Sequence, residues 1–196
     1  MTGAVDPKHM LSNAGAQVGD RLLLTKLLGT GIVGTAIKFG RAPEDLVLRA
    51  VESMRTLNDK ASAALKGIAG THACTDITGF GLAGHASQMA IASDVTFVIQ
   101  SSKLPLLKGV VDLVSQNGSG GMATNKEHYS ERIAFVGDVS EALQDLVFDP
   151  QTSGGLLFAV SGPDTNEALK ALETAGVPAV EIGEAVVAQD KRLLIR

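Results

Sequence analysis

The sequence predicts an α/β (α+β) domain, a mixed central β-sheet flanked by helices, on three observations. From residue 71 onward, short apolar runs of strand length alternate with segments of helical period. The chain has 196 residues, 45 % of them apolar, which is enough for a substantial core. No repeat of fixed period and no stretch rich in Pro, Gly or Ser divides it. The expected organisation is an irregular segment over 1–18 and a single domain over 19–196.

Gly3, Pro7, Asn13 and Gly15 break any regular pattern over residues 1–18. Arg21 to Leu28 is mostly apolar and reads as a strand, followed by a turn at Gly29-Thr30-Gly31. A short helix is expected from Ile32 to Lys38, ended by Gly40. Pro43 suits a first helical turn, and Glu44 and Asp45 complement the helix dipole. That helix gathers Leu46, Val47, Ala50, Val51 and Met54 on one face. Another, from about Asp59 to Ile68, follows an Asn58 cap and stops at Gly70. The alternation then gives a strand at 71–77, a helix at 82–92, a strand at 94–100 and a helix at 106–116. Residues 117–131, opening with Asn117-Gly118-Ser119-Gly120-Gly121, read as the long loop. A helix at 140–147, a strand at 155–161, a helix at 163–175 and strands near 179–187 and 191–196 complete the chain. Ser161-Gly162-Pro163-Asp164 starts the last helix and Gly176-Val177-Pro178 stops it.

Composition narrows the function. Aromatic residues make up 4 % and Trp is absent, so the core is aliphatic. The net charge of −4, with basic residues scattered, argues against a nucleic-acid surface. Cys74 is the only cysteine, so no internal disulfide forms and a reducing compartment fits. No signal peptide stands out and no apolar run reaches the roughly 20 residues that span a bilayer. A cytoplasmic protein without a membrane partner is the expectation.

The chemistry concentrates in Cys74-Thr75-Asp76-Ile77-Thr78-Gly79-Phe80-Gly81-Leu82-Ala83-Gly84-His85. One carboxylate and two hydroxyls precede a glycine turn and an apolar helix, whose N-terminal amides attract anions. A carboxylate there repels phosphate unless a divalent cation lies between them, as Mg²⁺ does in nucleotide sites. Asp76 also reads more simply, as the cap of the turn that follows it. Thr78, Gly79 and Gly81 shape the turn, with phosphate contact from their amides as the second reading; Phe80 reads as a core anchor, with base stacking as the alternative. His85 reads as satisfied by local hydrogen bonds, with reach to the site as the alternative. A second loop, Phe148-Asp149-Pro150-Gln151-Thr152-Ser153-Gly154-Gly155-Leu156-Leu157, is again acidic, hydroxylated and glycine-rich, and reads first as a buttress of the sheet edge or cleft. Two G-x-G-x-x-G runs, Gly29-Gly31-Gly34 and Gly79-Gly81-Gly84, lack the acidic residue that ends the next strand of a dinucleotide fold. There is no G-x-x-x-x-G-K-[ST] run, so a P-loop is excluded.

Together the Asp76 and Asp149 segments resemble the selenide, water dikinase family, with its D-[VI]-T-G-F-G-L-x-G-H and D-x-Q-T-S-G-G-L-L runs. Leu24-Thr25-Lys26-Leu27-Leu28-Gly29-Thr30-Gly31-Ile32 is similar to its L-T-K-P-L-G-T-G-I segment, and Thr2-Gly3-Ala4-Val5-Asp6-Pro7 to its T-G-x-V-H-P. These matches keep the family's order and extend over nearly the whole chain. The resemblance implies the C-terminal domain of the aminoimidazole-ribotide-synthetase-like fold. It implies one wall of a Mg²⁺-ATP cleft, with Asp76 as a magnesium ligand and Thr78, Gly79 and Gly81 at the nucleotide. The implied reaction takes selenide, ATP and water to selenophosphate, AMP and phosphate, in a cytoplasmic homodimer.

The family's reactive Cys or selenocysteine, its Lys and its further metal-binding aspartates precede the first matched segment. The chain is therefore expected to be a C-terminal part, inactive by itself, and Cys74 is not the redox residue. Leu27 stands where the family has Pro, and Ser119-Gly120-Gly121-Met122-Ala123-Thr124-Asn125 departs from its P-G-G loop. Two alternatives stay open: a non-catalytic binding or assembly module, and a domain of another superfamily enzyme such as a thiamine monophosphate kinase or aminoimidazole ribotide synthetase.

Overall fold

The computed structural model describes residues 10–196; the expectations for Gly3, Pro7 and the Thr2–Pro7 stretch lie outside the described residues. The described residues form seven strands and seven α-helices, in the order β1 Arg21–Thr25, α1 Thr30–Lys38, α2 Glu44–Arg55, α3 Asp59–Lys66, β2 Thr71–Asp76, α4 Gly81–Ala92, β3 Val95–Ile99, α5 Gly120–Tyr129, β4 Ile133–Phe135, α6 Glu141–Leu146, β5 Leu156–Val160, α7 Thr165–Thr174, β6 Ala179–Val187 and β7 Leu193–Ile195. They form one mixed sheet in the order β2-β5-β1-β6-β3-β7-β4. The pairs β2–β5, β5–β1, β1–β6 and β6–β3 are antiparallel, while β3–β7 and β7–β4 are parallel.

The central strands are apolar on both faces because both are covered. Leu22, Leu24, Leu157 and Ala159 face Ile32 and Val33 of α1 and Leu82, Ala86 and Met89 of α4. Leu23, Phe158 and Val160 face Ala61 and Leu65 of α3 and Ala168 and Leu172 of α7. Burying each of the larger side chains contributes about 1.5–3 kcal/mol. This double covering fixes the register: Asp76 pairs with Leu156, and Thr25 and Ala179 pair at the same end of the sheet.

Several elements differ from expectation. Residues 106–116 form no α-helix: Leu106 bridges to Leu28, Gly109 has φ 90°, and only a 3₁₀ segment, Val111–Gln116, follows. Residues 117–131 are not a long loop. Ser119 accepts the Met122 N–H and caps α5, so the local glycines sit at a helix start. Asn58 does not cap α3 with its side chain, which donates to the Gly154 carbonyl at 2.8 Å. Val51 belongs to the exposed side of α2, not to the face formed by Leu46 and Ala50. The helix expected from Ile32 begins at Thr30, inside the anticipated turn, and the short strand β4 was not anticipated.

Candidate functional site

Both motif loops meet at the sheet end where Asp76 emerges. Gly81 makes this possible: its φ is 68°, and a methyl group there would lie 2.8 Å from the Val147 carbonyl oxygen. The Gln151 N–H donates to the Thr78 carbonyl at 2.9 Å, and Ala83 N–H to Val147 at 2.8 Å. On the strand side, Ile77 N–H donates to the Gly155 carbonyl at 2.8 Å, and a side chain on Gly154 would collide with the Ile77 carbonyl. Asn125 of α5 ties the two loops, donating to the carbonyls of Gly79 at 2.9 Å and Phe148 at 3.0 Å.

The 149–151 segment turns inward. Asp149 is fully buried and its Oδ2 accepts the N–H groups of Gly31 and Ile32, both at 3.1 Å. Gln151 Oε1 accepts from Gly29 N–H at 2.9 Å, Thr30 N–H at 3.2 Å and Thr30 Oγ1 at 3.1 Å. Between them the two side chains satisfy the first amides of α1, which a helix leaves without partners. Among the described residues Asp149 Oδ1 has no hydrogen-bond partner, and burial pushes the carboxyl up to about 7. This segment is thus a long-range helix cap, in line with its reading as a buttress. Lys26, with φ 57°, spends its ammonium on the carbonyls of Thr56 at 2.6 Å and Ser153 at 2.8 Å; partial burial lowers its pKa.

Asp76 points outward. Its carboxylate is exposed at the end of β2 and, among the described residues, receives only the Thr78 hydroxyl, at 3.3 Å. Thr78 Oγ1 also lies 3.3 Å from His85 Nε2. That nitrogen accepts the Phe80 N–H at 3.3 Å, so the ring proton sits on Nδ1. Burial lowers the His85 pKa, opposed by the Asp76 charge, and the ring is a neutral brace for the turn. The Gly81 N–H is taken by the Thr78 carbonyl at 3.0 Å, so Gly81 shapes the turn rather than offering a donor. Phe80 is not a core anchor: it is 46 % exposed at the rim, with its ring tilted against His85 and Tyr129.

Asp76, Thr78, Gly79 and Gly81 therefore share one turn, exposed at Asp76 and Gly79 and buried at Gly81, with Asp149, Gln151 and Asn125 as its support. Asn125 was missed as a support; its signal was its place in the family-like glycine loop. Among the described residues no group of three His, Cys, Asp or Glu side chains could hold a metal ion. Asp76 suits a cation as a single outward ligand, one that phosphate oxygens and water would have to complete. Cys74, one turn of pleat away, has its thiol pushed up to about 12 by burial and by Asp76.

Fold and site define a helix-flanked mixed-sheet domain that presents the Asp76 carboxylate and a glycine turn at a sheet end. The chain belongs to the AIR synthase related protein, C-terminal domain family, whose model matches residues 17–196. It is 39 % identical over 189 residues to a selenide, water dikinase of Agathobacter rectalis, covering 96 % of this chain and 55 % of the relative. It is 44 % identical over 174 residues to the selenide, water dikinase of Caldanaerobacter subterraneus subsp. tengcongensis, covering 88 % and 50 %. The chain thus spans about half the length of these curated relatives. Among solved structures, a thiamine-monophosphate kinase from Stenotrophomonas maltophilia K279a superposes with a TM-score of 0.68 at 16 % identity, over 97 % of this chain and 54 % of that one. Among the described residues no helix is long and apolar enough to cross a membrane.

Proposed function

We propose that this chain is the C-terminal part of a selenide, water dikinase and forms one wall of its Mg²⁺-ATP cleft. The reaction is selenide, ATP and water to selenophosphate, AMP and phosphate. The observation that carries the reading is the outward Asp76 carboxylate on a turn braced from both motif loops, its one side-chain hydrogen bond among the described residues coming from a hydroxyl at 3.3 Å. The curated relatives supply the reaction class.

In this reading Asp76 would hold Mg²⁺ when the nucleotide is bound, and Thr78, Gly79 and Gly81 would let the backbone approach the phosphates. The cation neutralises phosphate charge when bound. Asp76 fixes where that charge lies, Thr78 orients the carboxylate, and His85 keeps the turn from opening. The remaining ligands and the selenium chemistry belong to the half of the relatives that this chain does not match, so the chain alone is inactive. We place the assembled enzyme in the cytoplasm as a homodimer.

The test is a phosphorus NMR time course with Mg-ATP and selenide under reducing conditions. The chain alone is expected to give no selenophosphate. Adding the unmatched half of a relative restores it, and Asp76→Asn abolishes it again. Turnover by the chain alone, or full activity in Asp76→Asn, overturns the assignment. Thiamine phosphate offered as acceptor separates the neighbouring superfamily reaction, and light scattering reads the dimer.

A further inference from the structure

We infer that Lys26 is a positioning residue for Asp76: its ammonium clamps the loop of residues 152–155 to the turn between α2 and α3, and that loop holds the turn that carries the carboxylate. Lys26 follows β1 with a left-handed backbone, φ 57°, and so does Ser153 on the facing loop, φ 51°. Neither is glycine, so the surroundings must hold both conformations. The ammonium joins them, donating to the Ser153 carbonyl at 2.8 Å and to the Thr56 carbonyl at 2.6 Å. Thr56 is the C-cap of α2, where the helix dipole favours a cation. Of the three ammonium donors, two are thus used inside the fold and at most one is left for a ligand.

The residues around Lys26 tighten the grip. The Leu156 N–H donates to Thr25 Oγ1 at 2.8 Å, and a side chain on Gly155 would collide with the Thr25 carbonyl. Asn58 Nδ2 donates to the Gly154 carbonyl at 2.8 Å, from the same α2–α3 turn as Thr56. Three consecutive loop residues, Ser153 to Gly155, are thereby fixed from the β1 side.

The other side of the loop faces the Asp76 turn. Gly155 accepts the Ile77 N–H at 2.8 Å, Thr78 accepts the Gln151 N–H at 2.9 Å, and Asp76 itself pairs with Leu156. A continuous run of contacts therefore leads from the end of α2 through Lys26 and Ser153 to Gly155, and on to Ile77, Thr78 and Asp76. Residues that orient a metal ligand are worth about 10–100-fold in metal affinity. The role of Lys26 in placing a cation rests on the reading of Asp76 as its ligand; the clamp itself is read without any cation.

The test compares Lys26→Met with Leu172→Val, a core change on α7 that serves as a purely structural control. Amide hydrogen exchange is followed at Ile77 and Gln151, and broadening of the Thr78 and Gly79 amide signals is titrated with Mn²⁺-tripolyphosphate. Lys26→Met is expected to speed exchange at both amides about tenfold relative to the control. It should also raise about tenfold the Mn²⁺-tripolyphosphate concentration that halves the two signals, which the control leaves unchanged. In a Cys74→Ala background, Lys26→Cys alkylated with 2-bromoethylamine regains an ammonium at the length of lysine and should recover both readouts. Alkylation with iodoethane adds no charge and should recover neither. Unchanged exchange at Ile77 and Gln151 in Lys26→Met, or equal recovery with iodoethane, overturns the clamp. Faster exchange with unaltered broadening, where Asp76→Asn does abolish the broadening, overturns the positioning role. Broadening that survives Asp76→Asn instead overturns Asp76 as the cation ligand and with it the role of Lys26 in placing the cation, while the exchange rates still decide the clamp.

Discussion

The Asn125 side chain donates to the Gly79 carbonyl at 2.9 Å, and the same amide nitrogen reaches Phe148 at 3.0 Å. One buried side chain on α5 thereby fastens the turn that carries Asp76 to the loop that carries Asp149. Two carbonyls depend on it. Asn125→Ala is expected to lower stability by about 2 kcal/mol, the cost of leaving buried acceptors unsatisfied, read from urea midpoints. Asn125→Asp is isosteric but opposes a carboxylate to two carbonyls, so it should cost at least as much at neutral pH and recover on acidification.

Asp149 gives the domain a pH dependence of defined sign. Its carboxyl is pushed up to about 7 by burial, against the pull of Ile32, Gln151 and Gly31, whereas an unfolded aspartate titrates near about 3.9. Between those values the folded protein keeps a proton that the unfolded chain has released. Its contribution to stability is therefore fully present below about pH 4, falls as pH rises, and is lost above about pH 7. At about 1.4 kcal/mol per pKa unit, the swing is on the order of 4 kcal/mol. Asp149→Asn retains an oxygen for the two amides and cannot titrate, so denaturation profiles from about pH 4.5 to 7.5 should flatten.

Cys74 should behave as an inert thiol. With its pKa raised to about 12 by burial and then by the Asp76 charge, the thiolate is scarce at neutral pH. Alkylation by iodoacetamide near pH 8 is expected to run at least about 100-fold slower than for a free thiol. Urea unfolding should restore the ordinary rate. A fast native reaction would contradict this assignment.

Asp76→Asn should separate function from fold. The carboxylate is exposed and, among the described residues, accepts a hydrogen bond only from Thr78, so stability should change by no more than about 0.5 kcal/mol, checked by thermal melting. A large loss would mean that Asp76 is a cap and not a free ligand.

Most of the framework was legible because it is local. The apolar period gave β1, β2, β3 and β5, and the Gly-Pro punctuation gave both ends of α7. What escaped was set by distant partners. Residues 106–116 have helical composition, but Leu106 is drawn into a bridge with Leu28. The three residues of β4 acquire meaning only beside β7. For the site, the acidic glycine turn at Asp76 could be read directly. The outward placement of Phe80 could not, because it follows from Tyr129, 49 residues away, lying beneath it and from the space that Gly84 leaves. Asn58 was given the commonest local role, and a carbonyl on the 149–155 loop captured it instead.

The caps of α1 also impose an order on events during synthesis. Gly29 N–H is bonded by a side chain 122 residues downstream. At about 5–20 residues per second, a ribosome needs roughly 6 to 24 s to deliver that partner after the helix has been made. Until then the first turn of α1 keeps its bare amides in water and has no reason to settle against the sheet. Strand β5, which joins β1 to β2, emerges in the same late stretch. The nascent chain therefore gains the strand that joins β1 to β2 and the lock on its first helix together. A stalled product ending before residue 149 would display both deficits to chaperones and proteases.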